Sequence, residues 1–538
     1  MTRLSYTHGS SSTPMLGETI GQNLARTVER FGDRDALVVR SRGYRATYRE
    51  LWEETTRLAK ALLACGVKKG DRVGIWSPNR YEWVVVQYAT ARIGAILVNV
   101  NPAYKAMELA YALDQSGVSV LFMAERFRDT SYPEIFEAAR ERCPQVERVC
   151  VMGRPWDDLL ARADETSDEE LATRERQNQF DDPINIQYTS GTTGSPKGAT
   201  LSHHNILNNG YFCAERLKYD ETDRVCVPVP FYHCFGMVIG NLACTSRGAC
   251  IVAPAEAFDP EATLATVQEE RCTSLYGVPT MFIAELGHPA FERYDLSSLR
   301  TGVMAGSPCP VEVMKAVQTK MHMEEVTICY GMTETSPVST QSATDAPLEK
   351  RVTTVGTVHP HVEIKIIDPE TGELMPRGAQ GELCTRGYSV MLGYWNAPEA
   401  TRNAIDDGRW MHTGDLATMD DEGYVKITGR SKDMICRGGE NIYPREVEEF
   451  LYTHPSVEDV QVIGVPSTKY GEEVMAWIKL RSGQSLTEDD LVSFCRGQIA
   501  TFKIPRHWKF VSEFPTTVTG KVQKYRMREI SVRELGLA

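Results

Sequence analysis

An α/β fold, with a large N-terminal domain of layered sheets and helices, a β-rich subdomain and a small α+β C-terminal domain, is what this sequence predicts. Three observations predict it. The chain has 538 residues, more than one hydrophobic core usually organises. In its first part short apolar runs alternate with amphipathic stretches of helical period, the pattern of largely parallel sheets covered by helices. From about residue 360 runs such as VEIKIID, GELCTRG and GYVKITG, separated by Gly/Asp/Pro turns, read as antiparallel strands and hairpins.

In chain order, a Ser/Thr-rich start precedes Ile20, Leu24, Val28 and Phe31, which recur at helical spacing, and ALVV at 36–39 reads as a strand. Leu51, Leu58 and Leu62 mark a second helix ending toward Gly66; VGIW at 73–76 is a strand, 80–93 a helix and AILVNV at 95–100 another strand. The acidic, Arg-containing stretch 164–179 predicts a surface helix and connector. Beyond Gly429, helices over 444–452 and 487–499 and the strands VQVIGV and VMAWIKL suffice for a small domain. The boundary falls near Arg430–Asp433, giving domains 1–429 and 430–538.

Composition narrows the function classes. With 42% hydrophobic and 24% charged residues the chain reads as globular. No apolar run approaches the roughly 18 residues that cross a bilayer, and MTRLSYTHGSSSTP lacks a signal peptide's apolar core. Neither secretion nor integral membrane association is expected. The 14 cysteines include no C-x-x-C pair, which suggests a reducing cytoplasm and no zinc site. A formal net charge of -13 argues against a nucleic-acid partner, yet Lys503, Arg506, Lys509, Lys521, Lys524, Arg526, Arg528 and Arg533 leave a local basic excess at the end.

The most informative stretch is YTSGTTGSPKG at 188–198, entered from the strand-like INIQY. Gly191, Gly194 and Gly198 let backbone N–H groups approach a polyanion, Thr189, Ser190, Thr192 and Thr193 add hydroxyl donors, and Lys197 follows Ser195 and Pro196 with a charge. Such a loop suits phosphates. It is not a Walker A sequence, so a P-loop NTPase is disfavoured.

Further along come PFYHCFG at 230–236, AGSP at 305–308, YGMTE at 330–334, TGD at 413–415, GRSKDMICRGGENIYPREVE at 429–448 and PTTVTGK at 515–521. In this order the motifs resemble those of the adenylate-forming enzymes, a family that includes acyl-CoA synthetases, amino-acid adenylation domains and firefly-type luciferases. The resemblance spans nearly the whole chain. The pattern around PFYHCFG and GRSKDMICRGGENIYPREVE is most similar to the medium-chain fatty-acyl-CoA ligase branch.

The resemblance implies an ATP- and Mg²⁺-dependent ligase that joins a carboxylic acid to AMP, releasing pyrophosphate, and then passes the acyl group to coenzyme A. Gly306, Ser307 and Pro308, with Tyr330, Gly331, Met332 and Thr333, are the implied nucleotide wall, with Tyr330 stacking on adenine and Thr333 facing phosphate. Glu334 is the implied Mg²⁺ ligand, since that cation prefers hard oxygens. Asp415 offers two acceptor oxygens to a ribose, and Arg430 is the implied ribose-contacting arginine. Lys521, on the mobile C-terminal domain, is the implied catalytic cation at the α-phosphate. Lys432 is the implied hinge, and Arg437, Gly438, Gly439 and Glu440 the loop that admits the pantetheine arm.

For the acid, the family's amino-acid-activating members carry an Asp directly after the Phe of PFYHCFG; Tyr232 stands here, which disfavours a substrate ammonium. His233 resembles the family's aromatic gate. Gly236 and Gly240, with Met237 beside them, are the expected acyl-pocket floor; close helix packing is the other reading of these glycines. Expected partners are a small carboxylic acid, ATP and CoA, with a homodimer allowed but not specified. An acyl-AMP ligase loading a carrier protein, and an aryl or short branched acid ligase, stay open as alternatives.

Overall fold

The computed structural model describes residues 3–189, 196–307, 309–430, 433–437, 440–517 and 521–537. The chain forms two compact units. The larger comprises Thr7–Ile364 and Thr385–His412; the smaller comprises Met1–Tyr6, Lys365–Cys384 and Thr413–Ala538.

Local signals start the helices of the larger unit. Thr19 with Gln22, Thr47 with Glu50, and Ser202 with Asn205 form capping boxes at the N-termini of Ile20–Phe31, Tyr48–Ala64 and His203–Arg216, each satisfying two donors that a bare helix end leaves open. Gly94, at φ 71°, closes Tyr81–Ile93 in a left-handed turn that a side chain would disfavour. The surface helix expected within 164–179 is Asp168–Arg176, capped by Ser167.

Two sheets organise this unit. One runs in the order Gly393–Tyr394, Lys197–Ser202, Pro183–Thr189, Ile96–Val100, Arg72–Trp76, Val118–Met123 and Arg148–Val151. The other centres on parallel strands, with Glu325–Gly331, Thr301–Ala305, Ser274–Gly277, Arg224–Cys226, Cys250–Ala253 and Asp35–Val39 side by side. Ile96–Val100 is buried along its whole length, as an inner strand covered on both faces must be. Tyr81–Ile93 is buried on all sides after its first residue and touches strands of both sheets. Its buried polar residues are partnered, Arg92 with Glu175 and Gln87 with Asn241.

In the smaller unit the strands Glu440–Ile442, Ile435–Arg437, Gly471–Leu480 and Val457–Ser467 form a sheet, with His507–Phe510 parallel to Gly471–Leu480. Val460, Val462 and Ile478 share a core with Val447 and Leu451 of the helix Pro444–Leu451 and Leu491 and Cys495 of the helix Glu488–Cys495. The helix expected over 487–499 stops at Cys495, because Arg496 is extended and Gly497 takes φ 73°. None of the fourteen cysteines is in a disulfide, and Cys65, Cys309 and Cys436 are the ones not buried. Among the described residues no helix is long and apolar enough to cross a membrane.

Candidate active site

The phosphate-type loop is held at both ends by strand pairing. Pro183–Thr189 runs antiparallel to Lys197–Ser202, with Thr189 opposite Lys197 and Tyr188 opposite Gly198. The tips of two paired strands therefore bring Thr189 and Lys197 together across the loop. Pro196 is fixed by its carbonyl, which accepts a hydrogen bond from the Tyr111 hydroxyl at 3.0 Å. Ser190, Gly191, Thr192, Thr193, Gly194 and Ser195 lie outside the described residues, as does Pro308.

The second wall comes from the other sheet. Thr301–Ala305 and Glu325–Gly331 are parallel, with Ala305 opposite Cys329, so Gly306 and Ser307 follow one strand and Tyr330 and Gly331 end its neighbour, all at carboxyl ends of the sheet. That is where open α/β sheets take ligands. Gly331 is dictated by sterics, since a Cβ there would lie 1.8 Å from the Pro337 carbonyl oxygen. After it, Met332 leads into a single turn over Thr333–Thr335.

Glu334 in that turn is 5% exposed. Its Oε1 accepts a hydrogen bond from the Tyr394 hydroxyl at 2.8 Å and lies 3.5 Å from the Thr189 hydroxyl. The Lys197 ammonium sits 5.2 Å from the centre of the Tyr394 ring, a cation–π distance. Thr189, Lys197 and Glu334, from two motifs far apart in sequence, thus meet around Tyr394. Sequence reasoning missed Tyr394, which lies in the turn-rich stretch after 360 with no motif signal of its own. The donor set here is oxygen only, carboxylate and hydroxyl, and fits a hard divalent cation rather than a soft one.

PFYHCFG reaches the same turn: the Cys234 sulfur lies 3.7 Å from the Thr333 hydroxyl. Burial pushes the Cys234 thiol up to about 12, so it is a small packed group and no nucleophile. The Phe235 backbone N–H donates to His233 Nδ1 at 3.1 Å, which places the proton of the neutral ring on Nε2.

The helix after His233 departs from the expected period. Phe235–Leu242 is a π-helix, a rare form that recurs at functional sites. A Cβ on Gly236 would lie 2.3 Å from the Pro230 carbonyl oxygen, and one on Gly240 3.0 Å from Val227 Cγ1. Close packing occupies the space beside both glycines. Met237 is buried, its sulfur 3.5 Å from Asn99 Nδ2 and 4.0 Å from Gln187 Nε2. Buried amides hold the segment in place: Asn241 Nδ2 donates to Gln87 Oε1 at 2.9 Å, and Asn99 Nδ2 to the Tyr232 carbonyl at 2.8 Å. Sequence reasoning did not anticipate this amide belt.

In the smaller unit, residues 415–419 and Val425–Arg430 pair antiparallel with Asp415 opposite Arg430. Arg430 Nε donates to Asp415 Oδ1 at 2.9 Å. The Asp415 N–H donates to Thr413 Oγ1 at 3.1 Å, which fixes the carboxylate's turn. Lys521 is exposed, and its carbonyl accepts from the Thr517 N–H at 2.7 Å; residues 518–520 of the same motif lie outside the described residues. Arg437 forms a two-point pair with Glu473, at 2.6 and 3.1 Å, and lies 4.3 Å over the Tyr470 ring. Glu440 is exposed and pairs with Arg437 across the hairpin. Lys432, Gly438 and Gly439 lie outside the described residues. Of the basic tail, Lys503, Lys509, Lys524 and Arg528 are bound to Glu446, Glu534, Glu448 and Glu472, which leaves less net positive field than the sequence suggests.

Comparison with known proteins agrees with this arrangement. The AMP-binding enzyme model matches residues 24–395, and the AMP-binding enzyme C-terminal domain model matches 446–521. The chain is 49% identical to acyl-CoA synthetase YngI of Bacillus subtilis over 97% of its length and 99% of that protein's. It is 44% identical to the mitochondrial medium-chain acyl-CoA ligase ACSF2 of Danio rerio, over 99% of this chain and 91% of that one. The solved structure of ATP-bound MatB from Rhodopseudomonas palustris superposes with a TM-score of 0.85 at 30% identity, covering 96% of this chain and 99% of that one. Two sheets converging on a buried carboxylate, and both family models in order along one chain, lead to one conclusion: the protein belongs to the AMP-binding enzyme family and is an AMP-forming acyl-CoA ligase, with ATP and CoA as its substrates.

Proposed function

We propose that the acid is a straight medium-chain fatty acid, activated at the cluster formed by Thr189, Lys197, Glu334 and Tyr394. The convergence of these four residues, with Cys234 of PFYHCFG against Thr333 beside Glu334, carries the activation step of this reading. In it the triphosphate lies along the 189–197 loop with Lys197 at its outer charges, Tyr330 stacks on adenine, Thr333 faces the α-phosphate, and the Asp415–Arg430 pair takes the ribose hydroxyls. The His233 Nε2–H donates to the substrate carboxylate and turns one oxygen toward phosphorus. Lys521 meets the charge that spreads over the α-phosphoryl oxygens as pyrophosphate leaves.

Glu334 and the Thr189 hydroxyl would hold Mg²⁺, which when bound with ATP neutralises phosphate charge. For the second step the small domain, 430–538, turns about Lys432, and the glycine pair 438–439 admits the pantetheine thiol to the acyl carbonyl. A thiol titrating near ~8.5 is partly thiolate at neutral pH, so no dedicated base is demanded. In this account Arg437, held by Glu473, braces the loop rather than pairing a CoA phosphate. The free thiols suit a reducing compartment, and we place the enzyme in the cytoplasm.

The relatives named as medium-chain ligases support an aliphatic acid, and Tyr232 in place of an acidic residue supports one without an ammonium. The test is CoA-dependent AMP release over a series of straight-chain acids, with benzoate and a short branched acid beside them. Each methylene that enters an apolar pocket contributes ~0.8 kcal/mol, so kcat/KM should climb about fourfold per carbon and then level at medium length. A profile led by benzoate or the branched acid would replace this reading with the aryl or branched one.

A further inference from the structure

We propose that Tyr394 is a positioning residue for adenylation: its hydroxyl orients the Glu334 carboxylate while its ring holds the Lys197 ammonium, so that cation ligand and phosphate-loop lysine share one support. The inference rests on the reading of Glu334 and Lys197 given above and adds to it a residue that no motif marks.

The backbone around Tyr394 is tied to both partners. On one side the Met391 N–H donates to the Glu334 carbonyl at 2.9 Å. On the other, Gly393–Tyr394 is an edge strand of the loop's own sheet, with Tyr394 opposite Ala199 and Gly393 opposite Thr200. The Leu392 N–H donates to the Thr200 carbonyl at 2.9 Å and the Trp395 N–H to the Gly198 carbonyl at 2.7 Å. The Tyr394 N–H itself donates to Thr401 Oγ1 at 2.8 Å. Residues 391–395 therefore fasten the return strand of the phosphate loop to the turn that carries Glu334.

The side chain repeats that link in chemistry. Among the described residues, both contacts to the Glu334 carboxylate, from Tyr394 at 2.8 Å and Thr189 at 3.5 Å, fall on Oε1. Oε2 is then the oxygen presented to a cation, in a fixed orientation. A phenol suits this place because it brings one O–H donor to the carboxylate on a flat ring that can also face a cation. The ring face meanwhile faces Lys197 at 5.2 Å, which restricts a long, mobile side chain without neutralising it. Phenylalanine would keep the second function and lose the first; leucine would lose both.

That separation is the experiment. Mn²⁺ binding to the full-length protein is read by electron paramagnetic resonance in the presence of α,β-methylene-ATP, which cannot be cleaved between its α and β phosphates. Affinity for the same nucleotide is read by calorimetry in EDTA. Outer-shell partners of a metal ligand typically contribute about 10–100-fold in metal affinity. Tyr394→Phe should lose Mn²⁺ affinity by that factor while binding metal-free nucleotide as the wild type does, with an unchanged melting temperature. Tyr394→Leu should weaken both; if it melts early, the phenylalanine variant alone decides. Wild-type Mn²⁺ affinity in Tyr394→Phe, or equal losses with and without metal, overturns the role of the tyrosine and leaves the site reading intact. Absence of nucleotide-linked Mn²⁺ binding in the wild type overturns both.

Discussion

Lys521→Ala is expected to slow acyl-AMP and pyrophosphate formation by about 10²–10³-fold, the usual cost of removing one electrostatic group aimed at developing charge. Thioester formation from supplied acyl-adenylate and CoA should stay near the wild-type rate. The asymmetry follows from when charge develops. In the first step a carboxylate oxygen attacks phosphorus, and the phosphoryl oxygens gain charge that an ammonium can meet. In the second a thiolate attacks an acyl carbon already bearing a good leaving group. Lys521 is exposed, so its truncation should leave the melting temperature unchanged. Lys521→Arg should recover part of the rate, because the charge is kept but its compact shape is lost. Equal loss in both half-reactions would defeat the assignment of Lys521 to the first.

Stability should fall steeply in mild acid through His203. This residue is fully buried, and its Nδ1 accepts the Ile20 N–H at 3.1 Å at the head of the helix Ile20–Phe31. Burial above all, opposed by Asp182 and reinforced by Lys69, lowers its pKa from 6.5 to about 3. The unfolded chain thus binds a proton between those values that the folded chain refuses. The associated stability is complete above pH 6.5 and is lost as pH falls toward 3, at up to ~1.4 kcal/mol per pH unit. His359, also buried and held neutral by desolvation, acts in the same direction. Urea melts of the larger unit at pH 7, 6 and 5 should show the decline, and His203→Gln, whose amide oxygen can still accept the Ile20 N–H, should flatten it. A wild-type midpoint that does not move across this range would contradict the neutral buried histidine.

Much of the fold was legible because its signals are local. Ile20, Leu24, Val28 and Phe31, then Leu51, Leu58 and Leu62, mark two helices by their spacing, and the strands around Val73, Leu97 and Leu37 are short apolar runs bounded by turns. The helix expected to 499 ends at Cys495, where Arg496 turns extended and Gly497 takes a left-handed φ. The π-helix over Phe235–Leu242 was not legible: α- and π-helices share an apolar pattern, and what selects the wider turn is packing of Gly236 on the Pro230 backbone together with amides from Gln87 and Asn99. At the site, Thr189, Lys197, Thr333, Glu334 and His233 could be named from motifs. Tyr394 could not, because its meaning lies in contacts to Glu334, sixty positions earlier, and to Lys197, on the neighbouring strand but nearly two hundred positions earlier in the chain. The Arg437–Glu473 pair escaped for the same reason.

The central claim is that a carboxylate oxygen of the substrate attacks the α-phosphorus of ATP. The most direct measurement supplies octanoate labelled with ¹⁸O in its carboxylate, together with ATP and CoA, and weighs the products by mass spectrometry. The account predicts one labelled oxygen in AMP, octanoyl-CoA in equal amount, and unlabelled pyrophosphate. Label in inorganic phosphate with ADP as the nucleotide product, or octanoyl-CoA formed with no label in AMP, would contradict it.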